Sequence, residues 1–349
     1  MDDFSLHVNG WKYSGWTALQ VTRSMEQLAH SFSVALTDRW GEGDYSEIPV
    51  EAGDACAISY KSDWVTNGYV DDDSLGYDAR SHTVEFDGRS ATGDLVDCAA
   101  VYEGGQWRNK GLLQIATDLC DPFEIEASSN VDLGGRFTLF EIQDGETVFQ
   151  ALERGARRRG VLMLTKADGG LIFDRVGSTK VRTKLEYGKN ILRCQKRSSW
   201  RERFSQYTIK AQAQGSDTFF GAAASAISRS SSDDGISRYR PMVLVADDED
   251  SGTELQKRAD WERNVRAGRA KRVTYAVQGW EHEDGLWEPN TLVTVVDPVA
   301  RIDDELLLVE VSHSRDEQSG SMTSLTLTFP EAFGVQPLPA PKKKKGALF

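Results

Sequence analysis

A chain of 349 residues with 27% charged and 39% hydrophobic side chains has the composition of a folded globular protein, long enough for two or three domains. Its net charge of -13 argues against a protein whose main partner is a phosphate backbone, because nucleic-acid binders concentrate basic charge. No apolar run approaches the ~20 residues that span a bilayer, and the opening MDDFSLHVNG has neither the basic region nor the apolar core of a secretory signal, so no stable membrane insertion is expected.

Residues 1–96 read as strand after strand, and a first β-barrel is expected there. Phe4 to Val8 precedes the turn Asn9-Gly10, Leu19 to Thr22 alternates, and Ser31 to Thr37 places Phe32, Val34 and Leu36 on one face. Ala55 to Tyr60, Val65 to Val70 and His82 to Phe86 continue the pattern, with Gly41-Glu42-Gly43-Asp44 and Asp71-Asp72-Asp73 as punctuating turns. Many short strands imply a sandwich or barrel, and closure is favoured because it removes exposed edges.

Residues 97–189 are expected to form a helical link and an α+β module. Leu112 to Leu119 is helical and ends at Cys120-Asp121-Pro122, since a proline biases the residue before it out of helix. A short β piece near Arg136 to Leu139 follows. Thr147 with Gln150 three residues on forms a capping box, and Val148, Ala151, Leu152, Gly155 and Ala156 make one apolar stripe. Arg157, Arg158 and Arg159 suit the carbonyl end of that helix, and Gly160 stops it. Val161 to Thr165, the turn Ala167-Asp168-Gly169-Gly170 and Leu171 to Arg175 complete a hairpin.

Residues 190–333 are expected to form a second β-barrel with an inserted mobile loop and a long helix. Its strands are Ile191 to Gln195, Tyr207 to Ala211, Met242 to Ala246, Val273 to Gln278, Leu292 to Val296, Glu305 to His313 and Ser324 to Phe329. Residues 214–240, rich in Ser, Ala, Gly and Asp, are the expected loop, and Ser251 to Arg269 the helix, with Ser251 and Glu254 as a second capping box. Residues 334–349, with Pro337, Pro339, Pro341 and Lys342 to Lys345, read as a disordered tail. The order strand, strand, loop, strand occurs twice, Asp54 to Ile58 answering Asn290 to Val295, which makes the two barrels related. The fold class is therefore mainly β with an α+β insertion.

The chemistry-bearing candidates are weak. Cys56, Cys98, Cys120 and Cys194 lie far apart without a CxxC pair, so buried free thiols are expected rather than zinc ligands. Asp71-Asp72-Asp73 and Asp247-Asp248-Glu249-Asp250 lack the spacing of a calcium loop. Glu281-His282-Glu283-Asp284 lacks the paired histidines of a metalloprotease helix. No nucleophile elbow, phosphate loop or dinucleotide fingerprint occurs, so no catalytic, cofactor or metal residue is expected. A basic stretch over 182–203 (Arg182, Lys184, Lys189, Arg193, Lys196, Arg197, Arg201 and Arg203, with Trp200 and Phe204 nearby) fits a nucleic-acid groove or an acidic protein face, and the acidic whole favours the protein.

Three stretches together resemble a known family: Gly10-Trp11-Lys12-Tyr13-Ser14-Gly15-Trp16; Asp87-Gly88-Arg89-Ser90 leading to Thr92-Gly93-Asp94-Leu95-Val96-Asp97-Cys98; and Gly145-Glu146-Thr147-Val148-Phe149. Their order resembles baseplate hub proteins of contractile-tailed bacteriophages, in the Mu-like tail protein D/P branch, over nearly the whole chain to Phe333. The 214–240 loop and the lysine tail match no pattern of that family. The resemblance implies a non-enzymatic homotrimeric ring in the virion tail baseplate, assembled in the host cytoplasm. It also implies a tail tube protein and a trimeric cell-puncturing spike as partners, with DNA passing through unbound; an acidic wall would not trap it. The competing classes are a tail-associated enzyme that degrades cell wall and the hub portion of a related contractile secretion spike.

Overall fold

The computed structural model describes residues 4–13, 16–37, 50–77, 82–177, 179–211, 227–245 and 252–334. Gly41-Glu42-Gly43-Asp44, Asp247-Asp248-Glu249-Asp250, the Ser251 cap and the lysine tail lie outside them. The chain forms two compact units, residues 1–196 with 273–327 and residues 197–272 with 328–349.

The first unit begins with β1 (Phe4–Val8), β2 (Trp11–Tyr13), β3 (Trp16–Ser24), β4 (Ser31–Thr37), β5 (Ala55–Tyr60), β6 (Asp63–Tyr77) and β7 (His82–Ser90), paired in the order β3-β4-β7-β6-β5-β1-β2. Alternation does what the sequence implies: Leu19, Val21, Phe32, Val34, Leu36, Cys56, Ile58 and Phe86 point into one buried core. Asp71-Asp72-Asp73, expected as a turn, instead lies inside the 15-residue β6, where the register shifts between Val70 and Asp72. Such a bulge lets a strand bend and continue, so charge density alone misread it. At this bend Gly88 is obligatory, because a Cβ there would sit 2.2 Å from the Tyr69 carbonyl oxygen and 2.3 Å from Phe32 Cζ.

The module that follows contains α1 (Gly93–Asp97), β8 (Gln106–Lys110), α2 (Leu112–Cys120), β9 (Ala127–Ser129), β10 (Phe137–Glu141), α3 (Val148–Arg159), β11 (Leu162–Thr165) and β12 (Leu171–Asp174). α3 has the expected capping box, Thr147 Oγ1 accepting from Gln150 N while Gln150 Oε1 accepts from Thr147 N. Gly160 ends it at φ 67°. All five residues of the stripe are buried. They meet more than their own hairpin: α3 packs on α1 and α2 as well as β11, and a Cβ on Gly155 would strike Leu112. The partners lie ~40 residues upstream, beyond what local periodicity reports.

Next come β13 (Thr179–Lys180), β14 (Leu185–Glu186) and β15 (Arg193–Ser198). The second unit holds β16 (Gln206–Ala211), β17 (Ile227–Ser232), β18 (Pro241–Val245) and α4 (Gly252–Arg269). β16 pairs antiparallel with β17 and parallel with β18, and α4 covers them through Leu255 and Ala259 on Ile209 and Ala211. Part of the expected mobile loop is thus ordered: residues 227–232 form β17, with Arg229 opposite Ile209, while 212–226 lie outside the described residues. A serine-rich strand carries no apolar signature, because backbone pairing to β16 supplies its order.

The chain returns to the first unit with β19 (Lys271–Gln278), the small hairpin β20 (Glu281–His282) and β21 (Gly285–Leu286), then β22 (Thr291–Asp297), β23 (Ile302–Asp316) and β24 (Gly320–Thr328). These strands continue the same sheet: β15-β19-β24-β23 joins the first set through β3, with β22 on β23 and β13 and β14 parallel on β22. No pairing among the described residues closes either set upon itself; β3 runs antiparallel to β23 and links the two. The fold class remains the expected one, mainly β with an α+β module and one long helix.

Candidate functional site

The strand sets repeat one plan. In the first, β5-β6-β7-β4-β3 lie side by side; in the second, β22-β23-β24-β19-β15 do. The chain visits them in the same sequence each time, and the first three strands of each order have nearly equal lengths, 6, 15 and 9 residues against 7, 15 and 9. What differs is inserted or added. The turn of residues 25–30 between β3 and β4 corresponds to the whole α/β unit between β15 and β19. β1 lies antiparallel on β5, whereas β13 and β14 lie parallel on β22.

The seam between the sets mixes buried apolar residues (Val21, Val311) with polar groups, some buried and some exposed. Val311 faces Arg23, and His313 faces Val21. Gln20 Nε2 donates to Ser312 Oγ at 3.2 Å, and the Thr22 and Ser312 hydroxyls lie 3.0 Å apart. The buried Arg23 guanidinium donates to Glu288 Oε1 at 3.2 Å. Beside it a polar cavity of about 310 Å³ is lined by Arg23, His30, Asn130, Asp174, Glu288 and Asn290. Burial, and then the Arg23 charge, hold His30 well below the usual imidazole range. The same causes bring His313 down to about 3. Trp280 stacks on His313 at 4.8 Å and meets Phe4 at 4.1 Å, so a side chain of the second half completes the core of the first.

The residues singled out from sequence do not converge. Arg182 pairs with Asp284 and holds its carboxyl below the usual range; Lys189 pairs with Glu186; Lys196 reaches the Ala300 carbonyl. Arg203 forms a two-pronged pair with Asp233 at 2.6 and 2.8 Å, in the second unit. Half of the basic stretch is thus spent on partners within its own unit rather than lining one groove. Glu281 pairs with Lys61, and His282 Nδ1 accepts from Asp284 N at 3.1 Å. Among the described residues no three His, Cys, Asp or Glu side chains converge as a metal site would require. All four cysteines are unpaired; Cys56 and Cys120 are buried, with thiols that burial raises to about 12, while Cys194 on β15 is exposed against expectation. Sequence reasoning missed the seam, whose Arg23 and His313 lie in strands far apart along the chain and whose His30 lies in the turn before β4.

The described residues thus show a repeated antiparallel plan with an α+β module between the two strand sets. Comparison with known proteins specifies the class as phage tail baseplate hubs. Residues 3–90 match the model of the Mu phage baseplate assembly protein GpP-like N-terminal domain, and 92–175 that of the baseplate hub protein gp44-like second domain. Residues 203–261 match the tail protein NMB1110-like third domain, and 251–336 the GpP fourth domain. The baseplate hub protein gp44 of Escherichia phage Mu is 35% identical, over 98% of this chain and 92% of that one. The crystal structure of the prophage MuSo2 43 kDa tail protein from Shewanella oneidensis is 34% identical, covering 95% of this chain and 99% of that chain at a TM-score of 0.84. The tail protein from Neisseria meningitidis MC58, 24% identical, shares the fold at a TM-score of 0.78 over 97% of this chain and 99% of that chain. The chain belongs to the gp44-like family of Mu-type baseplate hub proteins, structural components of the virion tail and not enzymes.

Proposed function

We propose that this hub is a symmetry adaptor: a homotrimeric ring that joins a six-fold tail tube to a three-fold cell-puncturing spike and leaves a central conduit for DNA. The observation that carries the reading is the repeated strand plan. A three-fold ring meets a six-fold tube through equivalent contacts only if each subunit offers two similar surfaces, and two strand sets of one order supply them. The net charge of -13 suits a conduit, since an acidic wall repels phosphate. No helix among the described residues is long and apolar enough to cross a membrane, in keeping with a role in the particle.

Light scattering on the purified chain tests this. A mass three times 38.8 kDa is expected. A monomer at every accessible concentration would remove the basis for the adaptor.

A further inference from the structure

Two adjoining cavities in the first unit carry chemistry that an adaptor role does not use. The inner one, of about 310 Å³, has Arg23, His30, Asn130, Asp174 and Glu288 in its wall. Arg23 and His30 are only 4% and 3% exposed, yet Arg23 Nε and His30 Nδ1 have no hydrogen-bond partner among the described residues. A buried polar atom left unpaired is destabilising, so two of them at one cavity point to an occupant.

The hydrogen-bond sense of these two atoms restricts what the occupant is. Arg23 Nε carries a hydrogen and only donates. Burial and the Arg23 charge keep His30 neutral, and its bond to the Thr165 backbone is of the kind that an imidazole N–H donates. A neutral imidazole that donates through one nitrogen accepts through the other, so Nδ1 requires a donor. The occupant therefore accepts from a guanidinium and donates to an imidazole. An ionised anion cannot donate, and would face the Asp174 and Glu288 carboxylates; a metal ion cannot accept, and would face the Arg23 charge. A hydroxyl does both through one oxygen. Water does so too, but the space extends well beyond single waters, into an outer cavity of about 850 Å³ that shares Ala167, Thr179, Glu288 and Thr291 with the inner one. In the outer wall stands Trp64, 45% exposed, with the His7 ring edge-on to it at 5.2 Å. Asp63, Asp168 and Arg182 surround the same space, so an apolar plate lies among hydrogen-bonding groups. A pyranose ring has the matching character, with C–H groups on its faces and hydroxyls around its rim.

We propose that this cleft binds a saccharide, with hydroxyls of a terminal sugar on Arg23 and His30 in the inner cavity and a following ring against Trp64 in the outer one. The site gives the hub a glycan-recognition function separate from assembly. It lies within one chain, so it stands or falls independently of the ring. Two sources carry the chemistry: a free monosaccharide, for which the inner cavity suffices, and a glycan chain, which uses both cavities.

Saturation-transfer NMR on the full-length protein tests this, with glucose, galactose, N-acetylglucosamine and the β-1,4-linked trisaccharide of N-acetylglucosamine as probes. Transfer to the sugars is expected, with the trisaccharide bound more tightly than its monomer. Trp64→Ala should weaken the trisaccharide about tenfold and leave the monosaccharide unchanged. His30→Phe, which removes the acceptor and fills the inner cavity, should abolish both. Circular dichroism checks the fold of each variant, and the Trp64 change, on an exposed side chain, keeps the test decisive if the His30 variant does not fold. Equal affinity for monomer and trisaccharide, with Trp64→Ala silent on both and His30→Phe abolishing both, upholds the inner site and assigns it to a free sugar. Transfer that persists unchanged in both variants places binding elsewhere and overturns the proposal. No transfer to any probe also overturns it and leaves the cavity to ordered water.

Discussion

Mild acid should loosen the seam between the strand sets, and His313 makes the effect measurable. The imidazole is buried between β23 and β24, bonded to Thr323 Oγ1 at 3.0 Å and covered by Trp280. Burial, with the Arg23 charge, brings it from 6.5 to about 3. An unfolded chain therefore binds a proton below about pH 6.5 that the native protein refuses. Stability from this group is complete above that pH and declines as pH falls towards 3. Three and a half units at ~1.36 kcal/mol per unit give about 5 kcal/mol over the full range. Between about pH 7.5 and about pH 5 the loss is about 2 kcal/mol, set by the unfolded value alone because the native group stays neutral throughout. His30, His7 and His282, each lowered chiefly by burial, act in the same direction. Asp97, Asp233, Asp284 and Asp316 do not interfere. Arg89, Arg203, Arg182 and the Ser319 N–H respectively hold them below the usual carboxylate range, so their contribution is intact above about pH 4. The assay is urea unfolding followed by tryptophan fluorescence, for the wild type and His313→Gln, across that window. The wild type should lose about 2 kcal/mol more than the variant on acidification, whatever their stabilities at neutral pH. Parallel curves for the two proteins would refute the reasoning.

Thr147→Ala removes half of the capping box and should cost about 1 kcal/mol, read as a lower denaturation midpoint. Leu152→Ala empties a fully buried site on α3 and should cost about 2–5 kcal/mol, with hydrogen-exchange protection falling first in residues 112–174 and last in β4 and β7. Gly88→Ala forces a Cβ against backbone at 2.2 Å and should destabilise by about 1–3 kcal/mol; an unchanged melting temperature would mean that β6 and β7 do not cross so closely. In a timed thiol titration of native protein Cys194 should react first, with Cys56 and Cys120 released only on unfolding; simultaneous reaction of all four would contradict their burial.

Where structure depends on neighbours in sequence, the sequence by itself determined it. The α3 cap and stop rest on hydrogen bonds reaching three or four residues, so Thr147, Gln150 and Gly160 declare them. Alternation over Ser31–Thr37 and Ala55–Tyr60 declares strands with one face buried, because side-chain direction has a period of two. The repeated order of strands was visible for the same reason, as was the family resemblance carried by short motifs in order. What depends on pairing between distant segments was decided only by the tertiary structure. Asp71-Asp72-Asp73 has the composition of a turn, yet the β7 ladder holds it extended. Serines 228 and 230–232 look like loop, yet β16 supplies their order. The join of β3 to β23 lies beyond any local pattern, since Arg23 and His313 are 290 positions apart along the chain. A backbone hydrogen bond carries no record of its partner's side chain. Which edges meet is therefore fixed by the packing of whole sheets, and the sequence shows it only once the fold has brought them together.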